Sequence, residues 1–213
     1  MLSFELYFLN QHKESLNINK VDIDNSLKNT IEQKYNEYIN TISSPEMAIS
    51  FEMAMFIFKY CVQYKPSKIV DLGSGFSSFI LRLYQKMYGN ENTIIYSVDD
   101  SKEWLLKTKE FIQQQDLNTS NLFFIDEFIN VTKNNTFDLV ILDLNFVDVR
   151  KKYLQFSIDI TSDNGLLIID DVHKIEFLRE VKNVLKRNNV HIIDLKNITF
   201  DSYGRFALGV RIR

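Results

Sequence analysis

Apolar residues recur at helical spacing through residues 21–42 and again through 45–64, whereas residues 1–19 mix polar and apolar positions without a clear period. Two N-terminal helices are predicted. The second is expected to start at Ser44, because Pro45 suits a first helical position and the following Glu46 and Glu52 favour the positive end of a helix dipole. Met47, Met53 and Met55 then fall in the core, and Pro66 punctuates the helix. From Lys68 onward short apolar runs alternate with helical patterns, which predicts a parallel sheet covered on both faces. Strands are expected at 68–72, 93–98, 121–125, 137–142, 165–169, 190–195 and 206–212. Only residues 196–205 join the last two, too few for a right-handed crossover helix, so these two strands should run antiparallel.

The chain has 213 residues and 45% hydrophobic content, enough to bury a full core. One domain with a modest extension is expected: an N-terminal helical extension over 1–65, forming a lid or a homodimer surface, and a ligand-binding core over 66–213. A net charge of −3 gives no general attraction to nucleic acid or to an anionic membrane, so the expected partners are small or neutral. The single cysteine, Cys61, excludes an intramolecular disulfide and lies in an apolar helical run, where a buried thiol is expected. Residues Met1 to Tyr7 lack the basic region and apolar stretch of a signal peptide, and no run approaches the roughly 20 apolar residues of a membrane span. A cytoplasmic location is the expectation.

Candidate chemistry begins at Asp71-Leu72-Gly73-Ser74-Gly75-Phe76-Ser77-Ser78, where an apolar strand pattern ends in an acid and a glycine-paired turn leads into a helix. Gly73 and Gly75 let the main chain approach a ligand at the carboxyl end of a strand, where open α/β sheets bind their ligands. A dinucleotide site would hold its pyrophosphate close to Asp71, which repels it, and would place a third glycine at position 78, where this chain has Ser78. S-adenosylmethionine carries a sulfonium and an ammonium and no phosphate, so an acidic residue beside the turn suits it.

The segment from Asp71 to Ser77 resembles the first motif of class I S-adenosylmethionine-dependent methyltransferases, with Ser77 where many members have a third glycine. The resemblance covers residues 42–213 and implies a Rossmann-like, doubly wound α/β fold with a seven-stranded mixed sheet whose last strand is antiparallel. It also implies that Asp71, Gly73, Gly75, Ser77, Ser78, Asp99, Asp126 and Asp143 belong to the cofactor site. Asp99 leaves the second strand and can accept hydrogen bonds from both ribose hydroxyls; the alternative is a surface turn residue. Asp100 and Ser101 are expected to cap the next helix, Asp126 matches a position near the adenine, and Trp104 is expected in the core.

A second acidic group closes the picture: Asp143 ends the fourth strand and Asp170-Asp171 end the fifth. Neighbouring strands lie about 4.8 Å apart, so these carboxylates can converge, and a divalent cation, His173 with Lys174, or the sulfonium could neutralise them. The resemblance extends to catechol-type O-methyltransferases, which hold a hard divalent ion such as Mg2+ through an aspartate after the fourth strand and an Asp-Asn pair after the fifth. Asp143 and Asp170 match these positions, and Asp171 replaces the asparagine. That family's lysine base has no counterpart here, since Leu144 to Asp148 contain none; Arg150, Lys151 and Lys152 are expected to decorate the following helix. His173 is then the best candidate base, with a capping or surface role as the alternative. His12 and His191 have weaker claims. Tyr203 and Arg205 either meet the substrate or serve turn chemistry. The expected function is O-methylation of a small molecule by S-adenosylmethionine, with or without a divalent metal; a non-catalytic cofactor-binding module and a dinucleotide-dependent enzyme are the alternatives.

Overall fold

The computed structural model describes residue 16 and residues 21–89, 92–133 and 135–212. His12 lies outside the described residues. Helix α1 spans Asn25–Thr41 and α2 spans Phe51–Tyr64. The start of α2 differs from expectation: residues 45–48 form a turn, with Met47 and Ala48 donating to the Ser44 carbonyl, and the cap is Ser50, whose hydroxyl accepts from Met53 N at 3.0 Å. A capping hydroxyl three residues before a free N–H stabilises a helix start more specifically than proline does. Met47 consequently lies outside the core, 53% exposed, while Met53 and Met55 are buried.

The alternating region folds as β1 (Lys68–Leu72), α3 (Phe76–Met87), β2 (Ile94–Asp99), α4 (Lys102–Gln114), β3 (Leu122–Phe124), α5 (Ile125–Val131) and β4 (Phe137–Leu142). It continues with α6 (Val147–Asp159), β5 (Thr161–Ile169), α7 (Ile175–Leu185), β6 (Val190–Asp194), α8 (Lys196–Thr199) and β7 (Leu208–Ile212). These strands form one seven-stranded sheet in the order β3-β2-β1-β4-β5-β7-β6. β7 runs antiparallel to both β5 and β6 and every other pairing is parallel, as the short connection required.

Side chains on a strand alternate between faces, and β4 shows what that does to the core. Leu139 and Ile141 enter one buried cluster with α2, α3 and α4, while Val140 and Leu142 enter the other with α6 and α7. Both faces are therefore covered, the arrangement that parallel strands need. The N-terminal helices join the first cluster: Tyr38 of α1 meets Phe76 and Phe111 at ring-centroid distances of 5.6 and 5.0 Å. No helix among the described residues is long and apolar enough to cross a membrane.

The sheet order places a topological switch between β1 and β4, because the chain winds outward from β1 to β3 and then returns to build the other half. Gly73 stands at that switch with φ +118°, and a Cβ there would lie 2.2 Å from the Asp143 carbonyl oxygen. Gly75 is different: its φ of 168° is extended backbone open to any residue, and a Cβ there would meet only the Tyr38 hydroxyl, at 3.1 Å, and the ring carbon that bears it. Gly73→Ala should therefore cost about 3 kcal/mol or more in urea unfolding, or prevent folding, while Gly75→Ala should cost about 1 kcal/mol or less. Equal losses at the two positions would contradict this assignment.

Candidate functional site

The carboxyl edge of the sheet gathers the acids that end its strands, and their local partners differ from one strand to the next. Asp71 is fully buried, and its Oδ2 accepts from Ser77 Oγ at 2.8 Å and Ser78 Oγ at 2.6 Å. Both serines lie in the first turn of α3, so the hydroxyls that replace glycine there tie the turn to the strand. Burial, opposed by these two hydroxyls, pushes the Asp71 carboxyl up to about 7. Arg82 reinforces the same corner, donating to Ser78 O at 3.1 Å, Ser97 Oγ at 2.7 Å and Asn118 O at 2.7 Å.

Asp99 ends β2 and holds the glycine turn from the other side. Its Oδ2 accepts from both N and Oγ of Ser74 at 2.8 Å, and its Oδ1 accepts from Ser101 N at 2.8 Å. Burial raises its pKa despite these bonds. Ser101 caps α4, accepting from Trp104 N at 3.3 Å. Gly73, Ser74, Gly75, Ser77, Asp99 and Trp104 wall one side of an open cavity of about 490 Å³. Trp104 thus faces this cavity instead of the core. Asp71 lies beneath the wall without lining it, and Asp126, exposed in the first turn of α5, lines neither this cavity nor the next.

The opposite wall comes from residues that the motif pattern does not reveal. Tyr38, Met47, Ala48 and Ile49 close the cavity from the N-terminal segment, and Asp143, Asn145 and Arg150 close it from β4 and α6. Met47, Ala48, Asp143, Asn145 and Arg150 also line a second cavity of about 850 Å³, which includes Phe146, Asp170, Asp171, Lys174 and Arg205. The two spaces therefore share a wall. Arg205 is fixed there by Asp201 at 2.7 Å and by the carbonyls of Glu46 and Ala48 at 3.0 Å, whereas Tyr203 is exposed and lines neither cavity.

Arg150 is the largest departure from expectation, since it is 5% exposed instead of decorating the surface of α6. Its Nη2 lies 2.6 Å from Asp143 Oδ1 and its Nη1 2.7 Å from Asp171 Oδ2, while Nε donates to the Leu144 carbonyl. Burial works against its charge, but the surrounding carboxylates outweigh that and hold its pKa above the ordinary arginine value. Asp171, in the left-handed region at φ 59° that a short polar side chain tolerates, also pairs with Lys174. Burial raises its pKa, yet Arg150 and Lys174 bring the net below the usual carboxylate value. Asp170 has no side-chain donor among the described residues, and burial raises its pKa. With a guanidinium seated between Asp143 and Asp171, the trio as folded does not fit a divalent ion, and no group of three metal-ligating side chains is found among the described residues.

His173 stands behind this group. Its Nδ1 lies 3.5 Å from Asp171 Oδ1, its ring is 6.4 Å from that of Phe206, and it lines neither cavity. Burial lowers its pKa below the ordinary histidine value, an effect partly offset by Asp171. The structure thus brings Gly73, Gly75, Ser77, Asp99 and Asp143 to the first cavity and Asp143, Asp170 and Asp171 to the second.

A family model described as a methyltransferase domain matches residues 64–202. Among solved structures, the O-methyltransferase TomG from Streptomyces achromogenes, in complex with SAM, aligns with a TM-score of 0.62 at 13% identity over 98% of this chain and 94% of that one. An O-methyltransferase from Bacillus cereus in complex with SAH gives 0.64 at 13% identity over 98% and 96%. The SAH-bound methyltransferase PaMTH1 from Podospora anserina gives 0.62 at 12% identity over 100% and 95%. At such identities the likeness is one of fold. No curated protein matches the sequence.

The raised pKa of Asp71 makes a signed prediction. A carboxyl that binds its proton more tightly when folded contributes stability below about pH 4, and that contribution is lost as pH rises toward its folded value of about 7. Asp71→Asn keeps an acceptor for both serines and cannot ionise. The melting temperature of Asp71→Asn relative to wild type should rise steadily between pH 4 and pH 7.5; a difference independent of pH would show that Asp71 is not titrating in this window.

Proposed function

Since the chain belongs to the methyltransferase domain family, we propose that it transfers the methyl group of S-adenosylmethionine to an oxygen atom of a small molecule. The observation that carries this reading is the shared wall. One cavity holds the glycine turn and Asp99, the other holds Asp170, and Asp143, Asn145 and Arg150 separate them. A donor on one side and an acceptor on the other would meet there.

The first cavity suits the cofactor on three counts. The backbone turn of Gly73, Ser74 and Gly75 lines it, Asp99 offers a buried carboxylate for ribose hydroxyls, and Trp104 offers a ring for the base. Lysine is absent from its described wall, and Arg150 is already engaged by Asp143 and Asp171, so little there would hold a pyrophosphate. Ser74 Oγ occupies one acceptor site on Asp99, and ribose binding would displace it. When bound, the cofactor supplies an electrophilic methyl on a sulfonium.

The residues of this chain contribute positioning and proton removal. Phe146 and Met47 present apolar surface at the mouth of the second cavity, which suits the carbon skeleton of an acceptor. Asp170 lines the same space with no side-chain donor among the described residues, so its carboxylate is placed to take the hydroxyl proton, a role that the position of His173 behind Asp171 makes less direct. O-methyltransferases among the structures of like fold support oxygen as the acceptor atom. The net charge of −3 supports a small-molecule substrate over nucleic acid.

Calorimetry with S-adenosylmethionine, S-adenosylhomocysteine and NAD tests the proposal. Both sulfur compounds should bind and NAD should not; Asp99→Ala should weaken S-adenosylhomocysteine by about 10- to 100-fold through loss of the charged hydrogen bonds to ribose. Binding of NAD alone would overturn the reading.

A further inference from the structure

Asp143, Asp170 and Asp171 end β4 and β5, and adjacent strands in register bring them to one edge. Three carboxylates so placed would be a ready cage for a hard divalent cation, and left alone they would repel one another. They are not left alone. The Arg150 guanidinium spans the gap between the strands, 2.6 Å from Asp143 Oδ1 and 2.7 Å from Asp171 Oδ2, with its side chain 6% exposed. Its Nε–H donates to Leu144 O and Nη2 faces Asn145 O at 3.5 Å, so the backbone leaving β4 fixes its orientation. An ion entering the same place would have to take oxygens already held by the guanidinium and would meet its positive charge at contact distance. Lys174 adds a second cation on Asp171 Oδ2. Together Arg150 and Lys174 supply the two positive charges that one divalent ion would bring.

We infer that Arg150 is a resident cation standing where a divalent metal would otherwise bind, so that the acidic trio admits no such ion while Arg150 is present. Its meaning for catalysis rests on the methyltransferase reading of the two cavities. A guanidinium ion-paired with Asp143 and Asp171 and donating to Leu144 O has no coordination positions to offer, so an acceptor has no ion to chelate through two adjacent oxygens, and a single reacting hydroxyl suffices. Arg150 is a positioning residue: it holds Asp143 and Asp171 and leaves Asp170 to face the acceptor.

The test is a Mn2+ titration, followed by electron paramagnetic resonance and calorimetry, on wild type, Arg150→Met, Arg150→Lys and Arg150→Met with Asp170→Asn. Methionine keeps much of the length and removes the charge. Wild type and Arg150→Lys should show no saturable binding up to about 1 mM Mn2+, Arg150→Met should saturate with a Kd of about 0.1 mM or lower, and the added Asp170→Asn should abolish that binding. Saturable binding to wild type below about 1 mM Mn2+ would overturn the inference, as would a folded Arg150→Met, judged by circular dichroism, that gains no affinity. If Arg150→Met does not fold, Arg150→Gln takes its place, and if neither folds the wild-type titration decides: saturable binding overturns, its absence supports. S-adenosylhomocysteine melting shifts in the same samples keep the two readings apart, because failure to bind it counts against the methyltransferase reading whatever Mn2+ does.

Discussion

The need to compensate carboxylates withdrawn from water at one edge of a parallel sheet governs most of what surrounds the site. Asp71, Asp99, Asp170 and Asp171 are all buried and Asp143 nearly so, and isolated charges in such places are costly. All but Asp170 are met by a side-chain partner. Asp71 takes two serine hydroxyls, Asp99 takes Ser74 and the Ser101 N–H, and Asp143 and Asp171 share Arg150. The compensating groups are also the groups that shape the turn, cap the helix and wall the cavities, so charge balance and site geometry are one problem.

That solution explains how the two cavities come to adjoin. The switch in strand order opens a crevice beside β1, and the close backbone contact of Gly73 with Asp143 draws the glycine turn against the end of β4. The segment from Tyr38 to Ile49 covers the crevice, anchored by ring contacts at Tyr38 and by Arg205 on the carbonyls of Glu46 and Ala48. The segment between α1 and α2 is thus part of the site wall, and the loop after β6 holds it in place.

Much of the fold was legible because strands buried on both faces read as short continuous apolar runs set between helical patterns, and the antiparallel last strand followed from the shortness of its connection. The glycine turn, Asp99 and the acidic trio were legible because chemistry-bearing residues end apolar runs. What escaped were partners set by tertiary contact. Ser50 outcompeted Ser44 as a cap because its hydroxyl reaches a free N–H. Arg150 reads as a surface position on a helix, although three converging carboxylates required a cation and an arginine one turn into the next helix was within reach. Trp104 reads as a core aromatic, Tyr38 carries no signal of its own, and nothing in their spacing tells a cavity wall from an interior.

The most direct measurement of the central claim is a crystal structure with S-adenosylhomocysteine. The ribose should lie on Asp99, in place of the Ser74 hydroxyl, and the sulfur at the wall formed by Asp143, Asn145 and Arg150, pointing toward Asp170. A ligand bound elsewhere, or one whose sulfur faces away from the second cavity, would contradict it.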